Sequence, residues 1–496
     1  MILGRLVSIA AVLAVVAFAS LAAAQLSSWV SVVGGSKAEY VFGLCELGDG
    51  FVVAGWSNSS GFGGYDILVV GLDSEGIVRW SKSIGGEGDD VAFGVCEADD
   101  GIVVAGYTLS FGGSSDIFLV KVSRSGEFEW MKTIGGIGVE SAWCVRRAPD
   151  GFVLSGAAGS ANGSDALLLK LSLNGDIMVS DALRGPGDEV ASCVALTADG
   201  GLAVTGYCVA ANASGDIYVV RLSPENEIQW AKRIGGGGWD EALCIEQASD
   251  GGFIIAGWSS SFGLGGSDAL VLKLDSDGKL EWARVIGGPD SDKAAWVTEA
   301  ADGSFIVVGA TDSFGKGGDI FVLKISSAGD LIWARAIGGE GREEGIKVLE
   351  KDGGYIVAGI TNSYGAGSWD IIVLKLDADG YVEGFPTNAV FPPALNVSLQ
   401  VASESFTAQP LDVAVKLRTP SYATQKLLIE LYPQPERGKR DVWIVILLAV
   451  IVVQVIAVLA LRLKKHELEE EEEEEKEFEL EELEELGLEF FWQKDL

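Results

Sequence analysis

Residues 281–288 read EWARVIGG, and the chain says nearly the same thing again and again: QWAKRIGG at 229–236, IWARAIGG at 332–339, EWMKTIGG at 129–136 and RWSKSIGG at 79–86. Aligned on the tryptophan, the copies fall at Trp29, Trp80, Trp130, Ser180, Trp230, Trp282 and Trp333, a period of 50 to 52 residues with serine standing in the fourth. Between tryptophans each unit holds four short apolar segments, as in DEALCIEQASDG, GFIIAGWSSS, DALVLKLDSDG and KLEWARVI within 240–286. Segments this short, rich in Val, Ile, Leu and aromatics and bounded by turn residues, read as β-strands.

Asp-Gly separates the first two segments in all seven units, at Asp49-Gly50, Asp100-Gly101, Asp150-Gly151, Asp199-Gly200, Asp250-Gly251, Asp302-Gly303 and Asp352-Gly353. That dipeptide tolerates the positive φ angles of tight antiparallel hairpins. Two hairpins per unit make a four-stranded antiparallel sheet, and seven such sheets, none able to bury its faces alone, predict an all-β, seven-bladed β-propeller over 25–385. EWARVIGG is then the outer strand of one blade and the crossover to the next. Its Trp and Ile share a strand face, and burying the Trp on the adjacent blade contributes roughly 2–3 kcal/mol. The last unit lacks this phrase while SSWVSVVGG at 27–35 precedes any complete unit. The N-terminal strand is therefore expected to complete the seventh blade, with YVEGF at 381–385 as the competing candidate.

The repeat W-x-[KR]-x-I-G-G…D-G-G-x-I-V-A-G…D-x-x-x-x-K resembles the Trp-containing repeats of secreted and surface β-propeller proteins of bacteria and archaea, within the WD40-like and quinoprotein-like group. The resemblance covers about 26–382. It implies binding of proteins, glycans or small ligands and no single activity.

The two ends speak of export and a membrane. Residues 1–24 carry Arg5, an apolar run and small residues at Ala22 and Ala24, the pattern of a cleaved signal peptide. Val442 to Leu461 has one polar member, Gln454, and lies within an expected transmembrane helix at 441–462. The signal peptide sets the orientation, with the propeller outside and the C-terminus inside. Residues 386–440 break the period and read as a partly β stalk. The tail, 463–496, holds fifteen glutamates, one aspartate and two lysines from 466 on. Phe490, Phe491 and Trp492 near its end suit docking of a basic cytoplasmic protein, as an alternative to a solvated tail. A net charge of −35 with pI near 4.3 argues against nucleic acid.

Comparing the copies separates scaffold from site. One acidic column, Glu39, Asp90, Glu140, Glu189, Asp240, Asp292 and Glu343, opens the first strand of every unit. A second, Asp66, Asp116, Asp165, Asp216, Asp268, Asp319 and Asp370, opens the third. Five residues after the latter comes a base in six units, Lys121, Lys170, Arg221, Lys273, Lys324 and Lys375, with Gly71 the exception. The carboxylates either accept loop backbone N–H groups or, for the first column, ring the channel mouth and attract cations or a basic peptide. Both columns lie on the long-loop face, where Tyr40, Tyr65, Trp239 and Trp369 are aromatics peculiar to single units and candidates for sugar or protein contact.

Catalysis has little to work with, because the one histidine, His466, falls in the tail. No metal site and no cofactor is expected, and the chain reads as a binding or scaffolding module. A surface-layer or envelope subunit and a polysaccharide hydrolase are the alternatives. Of six cysteines, Cys193 and Cys208 flank one hairpin turn and are a disulfide candidate; Cys45, Cys96, Cys144 and Cys244 read as small core residues. Sequons at Asn58, Asn162, Asn212 and Asn396 allow glycosylation.

Overall fold

The structure is a computed structural model. It describes residues 28–416, apart from 113, 137, 161–162, 186, 211–213 and scattered positions between 391 and 413. The expected signal peptide, transmembrane helix and acidic tail, with residues 417–440, lie outside the described residues.

Seven antiparallel sheets form the blades, each running from an inner to an outer strand. Blade 5 is representative, with strands Asp240–Gln247, Phe253–Ser259, Asp268–Leu274 and Leu280–Ile286. Its third strand, DALVLKL, is buried along its whole length, because both faces of a blade are covered by neighbouring blades. Each inner strand packs on the next, and Glu343–Lys351 of blade 7 packs on Glu39–Leu47 of blade 1, which closes the ring around a central channel. Trp29–Val33 pairs with Asp370–Leu376, Trp29 opposite Lys375, so the N-terminal strand does complete blade 7.

The tryptophan of the repeated phrase locks each blade to the next. Trp29, Trp80, Trp230 and Trp282 donate their indole N–H to Ser74 O (3.1 Å), Arg124 O (3.2 Å), Ser276 O (3.0 Å) and Ser327 O (2.9 Å), all in the turn between the third and fourth strands of the following blade. Two residues further on in each turn stands a positive-φ glycine pressed against the ring. An added Cβ at Gly76, Gly126, Gly175, Gly278, Gly329 or Gly380 would come within 2.4–2.9 Å of Trp29, Trp80, Trp130, Trp230, Trp282 or Trp333.

Blade 3 breaks the pattern coherently. Lys170 pairs with Val179, as Lys121 pairs with Trp130 in blade 2. The lost tryptophan is therefore Val179 and not Ser180; a constant period misses the offset of one residue. With no indole to accommodate, the turn of blade 4 carries Asn226 at φ 67° where the others have glycine. The carbonyl of Pro224, which an indole would take, accepts the Lys170 ammonium at 3.3 Å instead.

The region expected as a stalk is, where described, a belt. Thr387–Val390, Ala394–Asn396, Gln400–Ser403, Thr407–Pro410 and Ala414–Lys416 add a fifth strand to blades 6, 5, 4, 3 and 2 in turn. The direction follows from the pairing: each outer strand leads on to the next blade, and a chain antiparallel to all of them must run backwards around the ring. Sequence periodicity reads the region as partly β but does not reveal which blade each segment joins, because each is three or four residues long and held by main-chain hydrogen bonds. Among the described residues, Val78–Ile84 of blade 1 and Trp29–Val33 of blade 7 keep open outer edges.

Candidate binding face at the channel mouth

The two acidic columns converge on the paired glycines. All seven residues of the first column are buried. Each accepts the N–H at the second crossover position four residues earlier: Gly35 to Glu39 (2.6 Å), Gly86 to Asp90 (2.8 Å), Gly136 to Glu140 (2.9 Å), Gly185 to Glu189 (2.9 Å), Gly236 to Asp240 (2.8 Å), Gly288 to Asp292 (2.7 Å) and Gly339 to Glu343 (2.7 Å). Hydroxyls of the loop between second and third strands bind the same carboxylates, as Ser110 does Asp90 (2.6 Å), Ser261 does Asp240 (2.6 Å) and Ser313 does Asp292 (2.7 Å).

The second column closes from the other side. A Cβ at Gly287 would lie 2.0 Å from an Asp268 oxygen and 2.7 Å from an Asp292 oxygen, which is why this position of the phrase is glycine. One oxygen each of Asp66 and Asp319 is buried without a hydrogen bond among the described residues, and burial pushes both groups up to about 6. The carboxylates are thus loop clamps, with their charge committed to backbone N–H groups, hydroxyls and, at Asp165 and Asp216, to Arg184 and Arg233, and not displayed around the channel. Among the described residues no cluster of three or more potential metal ligands occurs. The recurring bases serve the opposite face, where Lys121, Arg221, Lys273 and Lys324 hold the turn aspartates Asp100 (2.6 Å), Asp199 (2.6 Å), Asp250 (2.7 Å) and Asp302 (2.8 Å).

What faces the channel is set by a feature the sequence pattern hides. Every inner strand carries one β-bulge at the same place, with extra residues Phe42, Phe93, Trp143, Ser192, Leu243, Ala295 and Ile346. A bulge leaves its extra residue out of the ladder and re-aims it, and all seven are at least partly exposed, Trp143 to 42 %. Blades 1, 2 and 3 alone place aromatics there.

These aromatics join a continuous cluster. Phe93 stacks on Trp143 (4.8 Å between ring centres) and meets Phe42 (5.1 Å) and Tyr107 (5.8 Å). Phe42 meets Tyr40 (6.3 Å), which stacks on Trp56 (4.6 Å) and meets Trp369 of blade 7 (5.7 Å). Trp56 in turn meets Tyr65 (4.3 Å), which is 37 % exposed. Beside the cluster, Arg342 bridges Glu344 (2.7 Å) and Asp312 (2.9 Å), and Asp89 accepts the Tyr65 N–H (2.9 Å). Burial, and after it the Glu344 carboxylate, raises the Tyr40 hydroxyl above the usual tyrosine range.

Of the aromatic candidates, Tyr40, Tyr65 and Trp369 are thus brought together, and Trp239 stands apart against Tyr207 (5.5 Å). Phe42, Trp56, Phe93, Tyr107 and Trp143 were missed. Comparing the bulge position across units would have found three of them, had the extra residue been visible.

The expected Cys193–Cys208 disulfide does not fit the strand register. Cys193 lies opposite Thr205 and Cys208 opposite Glu189, because the Thr197–Gly201 turn sets Leu196 opposite Leu202 and a bulge follows. All six cysteines are free, and Cys193 Sγ lies 3.8 Å from Cys144 Sγ of blade 3. Asn58 lies in the loop after its second strand, where its side-chain oxygen accepts the Ala38 N–H (2.8 Å). Asn396 belongs to the belt, and Asn162 and Asn212 lie outside the described residues.

Residues 350–382 match DUF5122, a β-propeller domain of unknown function. No curated protein matches the chain. Among solved structures, puromycin hydrolase is similar at 13 % identity and a TM-score of 0.45, over 69 % of this chain and 52 % of its own, so the chain spans about half that protein's length. Sqt1 of Chaetomium thermophilum, bound to the N-terminus of the ribosomal protein L10, is similar at 11 % identity and 0.42, over 70 % and 98 %. A putative 6-phosphogluconolactonase of Bacteroides fragilis is similar at 12 % and 0.40, over 76 % and 98 %. Built of seven four-stranded blades and closed by its own N-terminal strand, the chain is a β-propeller repeat protein.

Proposed function

We propose that the propeller is a non-catalytic, cell-surface binding module that takes an extracellular glycan on the aromatic sector of blades 7, 1, 2 and 3. The observation that carries this reading is the single connected aromatic cluster, which breaks the sevenfold repetition at the channel mouth. Rings presented at a concave mouth offer flat apolar area at low cost in conformational entropy, the property that makes aromatics dominate recognition surfaces. The burial of the repeated carboxylates in loop clamps supports binding over hydrolysis, which needs a carboxylate pair free to reach a substrate. The apolar segment 441–462 holds the module in the membrane, and the tail at 466–496 docks a basic cytoplasmic protein. The test is a glycan array probed with the detergent-solubilised full chain, beside Trp143→Ala and Tyr65→Ala. Glycan binding weakened by both substitutions supports the reading; binding that both leave unchanged defeats it.

A surface-layer or envelope subunit is the second reading, favoured by the outer edges of blades 1 and 7, which are open among the described residues. Unpaired edges are templates for strand addition. Ordered arrays of the chain on a lipid bilayer, seen by electron microscopy in the absence of glycan, would favour it.

A further inference from the structure

Below the aromatic wall the channel is crossed by charged side chains. One residue past each bulge stand Gly43, Gly94, Cys144, Cys193, Cys244, Trp296 and Lys347, and only the last of these is charged. Lys347 of blade 7 holds its ammonium 2.9 Å from the centre of the Trp296 ring of blade 6. Arg146 reaches across from blade 3 to the same ring (4.8 Å), to Val194 O (3.2 Å) and to Glu246 of blade 5 (3.5 Å). Around the Trp296 ring, then, the described residues bring two cations, Lys347 and Arg146, to one carboxylate, Glu246.

The two cations are not equivalent. Arg146 has a carbonyl and a carboxylate. Lys347 has the face of an indole and, among the described residues, neither a hydrogen-bond acceptor nor an ion pair. A ring face attracts an ammonium only modestly, whereas a desolvated charge demands a counter-charge or hydrogen bonds. Burial lowers the Lys347 ammonium below the usual lysine range, as expected of a cation short of a partner. It remains partly exposed to the channel, and Cys144, next in sequence to Trp143 of the aromatic wall, belongs to its own ring of positions.

We infer that the ligand is an acidic glycan: sugar rings lie on the aromatic wall, and a carboxylate of a uronic-acid unit reaches down to Lys347, with Arg146 beside it. This rests on the glycan reading above and adds the charge of the ligand. One carboxylate neutralises the excess cation and gives the ammonium its acceptor, in a setting where charge-assisted hydrogen bonds are about twice as strong as neutral ones.

The test measures binding of a galacturonate oligosaccharide and of its carboxyl-reduced, neutral counterpart to the full chain by calorimetry. The expected result is a preference for the acid of about tenfold or more, equivalent to about 1.4 kcal/mol. Lys347→Gln should abolish the preference while retaining the neutral sugar, Lys347→Arg should keep it, and Trp143→Ala should weaken both ligands alike. Equal binding of acid and neutral sugar, or a preference that survives Lys347→Gln, overturns the inference and leaves the glycan reading standing. Binding of neither sugar overturns both. The arginine variant guards against misfolding, since a charge at 347 that restores the preference cannot be a matter of folding alone.

Discussion

The blade 3 exception predicts a stabilising double substitution, Val179→Trp with Asn226→Gly. In the six blades that have it, the tryptophan lies on the turn glycine of the next blade, and Trp29, Trp80, Trp230 and Trp282 also donate to a carbonyl two residues before it. Restoring the ring at 179 buries apolar area worth roughly 2–3 kcal/mol. Its hydrogen bond to Pro224 O, worth about 1 kcal/mol, replaces the one from Lys170, so that exchange is close to neutral. For roughly 350 residues unfolding together, the entropy at the midpoint is about 0.7 kcal/mol per degree, so the double variant should melt about 3–4 °C above the parent. Val179→Trp alone should gain nothing or lose about 1–3 kcal/mol, because the ring meets the Asn226 side chain where glycine belongs. Asn226→Gly alone should be nearly neutral, since asparagine tolerates positive φ. The assay is thermal unfolding followed by circular dichroism across the four-member cycle, with coupling expected above about 1 kcal/mol. If Val179→Trp stabilises equally with asparagine or glycine at 226, the tryptophan–glycine lock is refuted.

Three further outcomes follow from the same contacts. Gly287→Ala places a Cβ between Asp268 and Asp292 and should cost about 3–5 kcal/mol through overpacking and broken hydrogen bonds. Gly237→Ala, with nothing within 4 Å and no positive φ, should be neutral or gain up to about 1 kcal/mol; equal melting temperatures for the two would remove the clamp explanation. Asp66 and Asp319 hold protons more tightly in the fold, at about 6 against an ordinary 3.8, so their contribution to stability grows as pH falls through about 6 and levels off below about 4. The pair Asp66→Asn and Asp319→Asn should therefore flatten the rise in melting temperature between pH 7 and 5, and an unchanged slope counts against the raised values. A chain ending at Pro386 bares the outer edges of five more blades than one ending at Arg440; light scattering should find the shorter chain associating with concentration, and two equally monodisperse chains would speak against the belt.

The ring was legible in the sequence because its signals are local and repeated. Asp-Gly turns and a fixed tryptophan suffice to count strands and blades, and one orphaned phrase at 27–35 suffices to close the circle. The acidic columns were legible as columns, and acceptance of loop N–H groups was one of the two roles the sequence allowed them; the choice between clamp and channel ring was not legible. Whether Asp292 faces solvent or Gly288 depends on how the crossover folds back, which a linear pattern does not encode. The bulge was invisible for a related reason: the extra residue shifts the in–out alternation by one, so Phe42, Phe93 and Trp143 fall out of phase with the strands around them. The β character of the region after the propeller was legible, but its winding as a belt was not, because main-chain pairing leaves no mark of which blade each segment joins.

A sevenfold repeat makes its own departures measurable, and the departures are of two kinds. Some are compensated within the scaffold: valine replaces tryptophan at 179, and Asn226 and Lys170 adjust around the vacancy. Others have no such answer in the fold. Aromatics fill three successive bulges where the other blades carry serine, leucine, alanine and isoleucine, and at 347 an ammonium that has no acceptor among the described residues stands where they carry glycine, cysteine or tryptophan. A charge that the fold does not use should be replaceable by an apolar residue without loss of stability, as buried ionic groups often are. Lys347→Met therefore separates the two kinds. A stable Lys347→Met chain that no longer prefers the acidic sugar places the lysine with the ligand, and a chain that fails to fold places it with the scaffold.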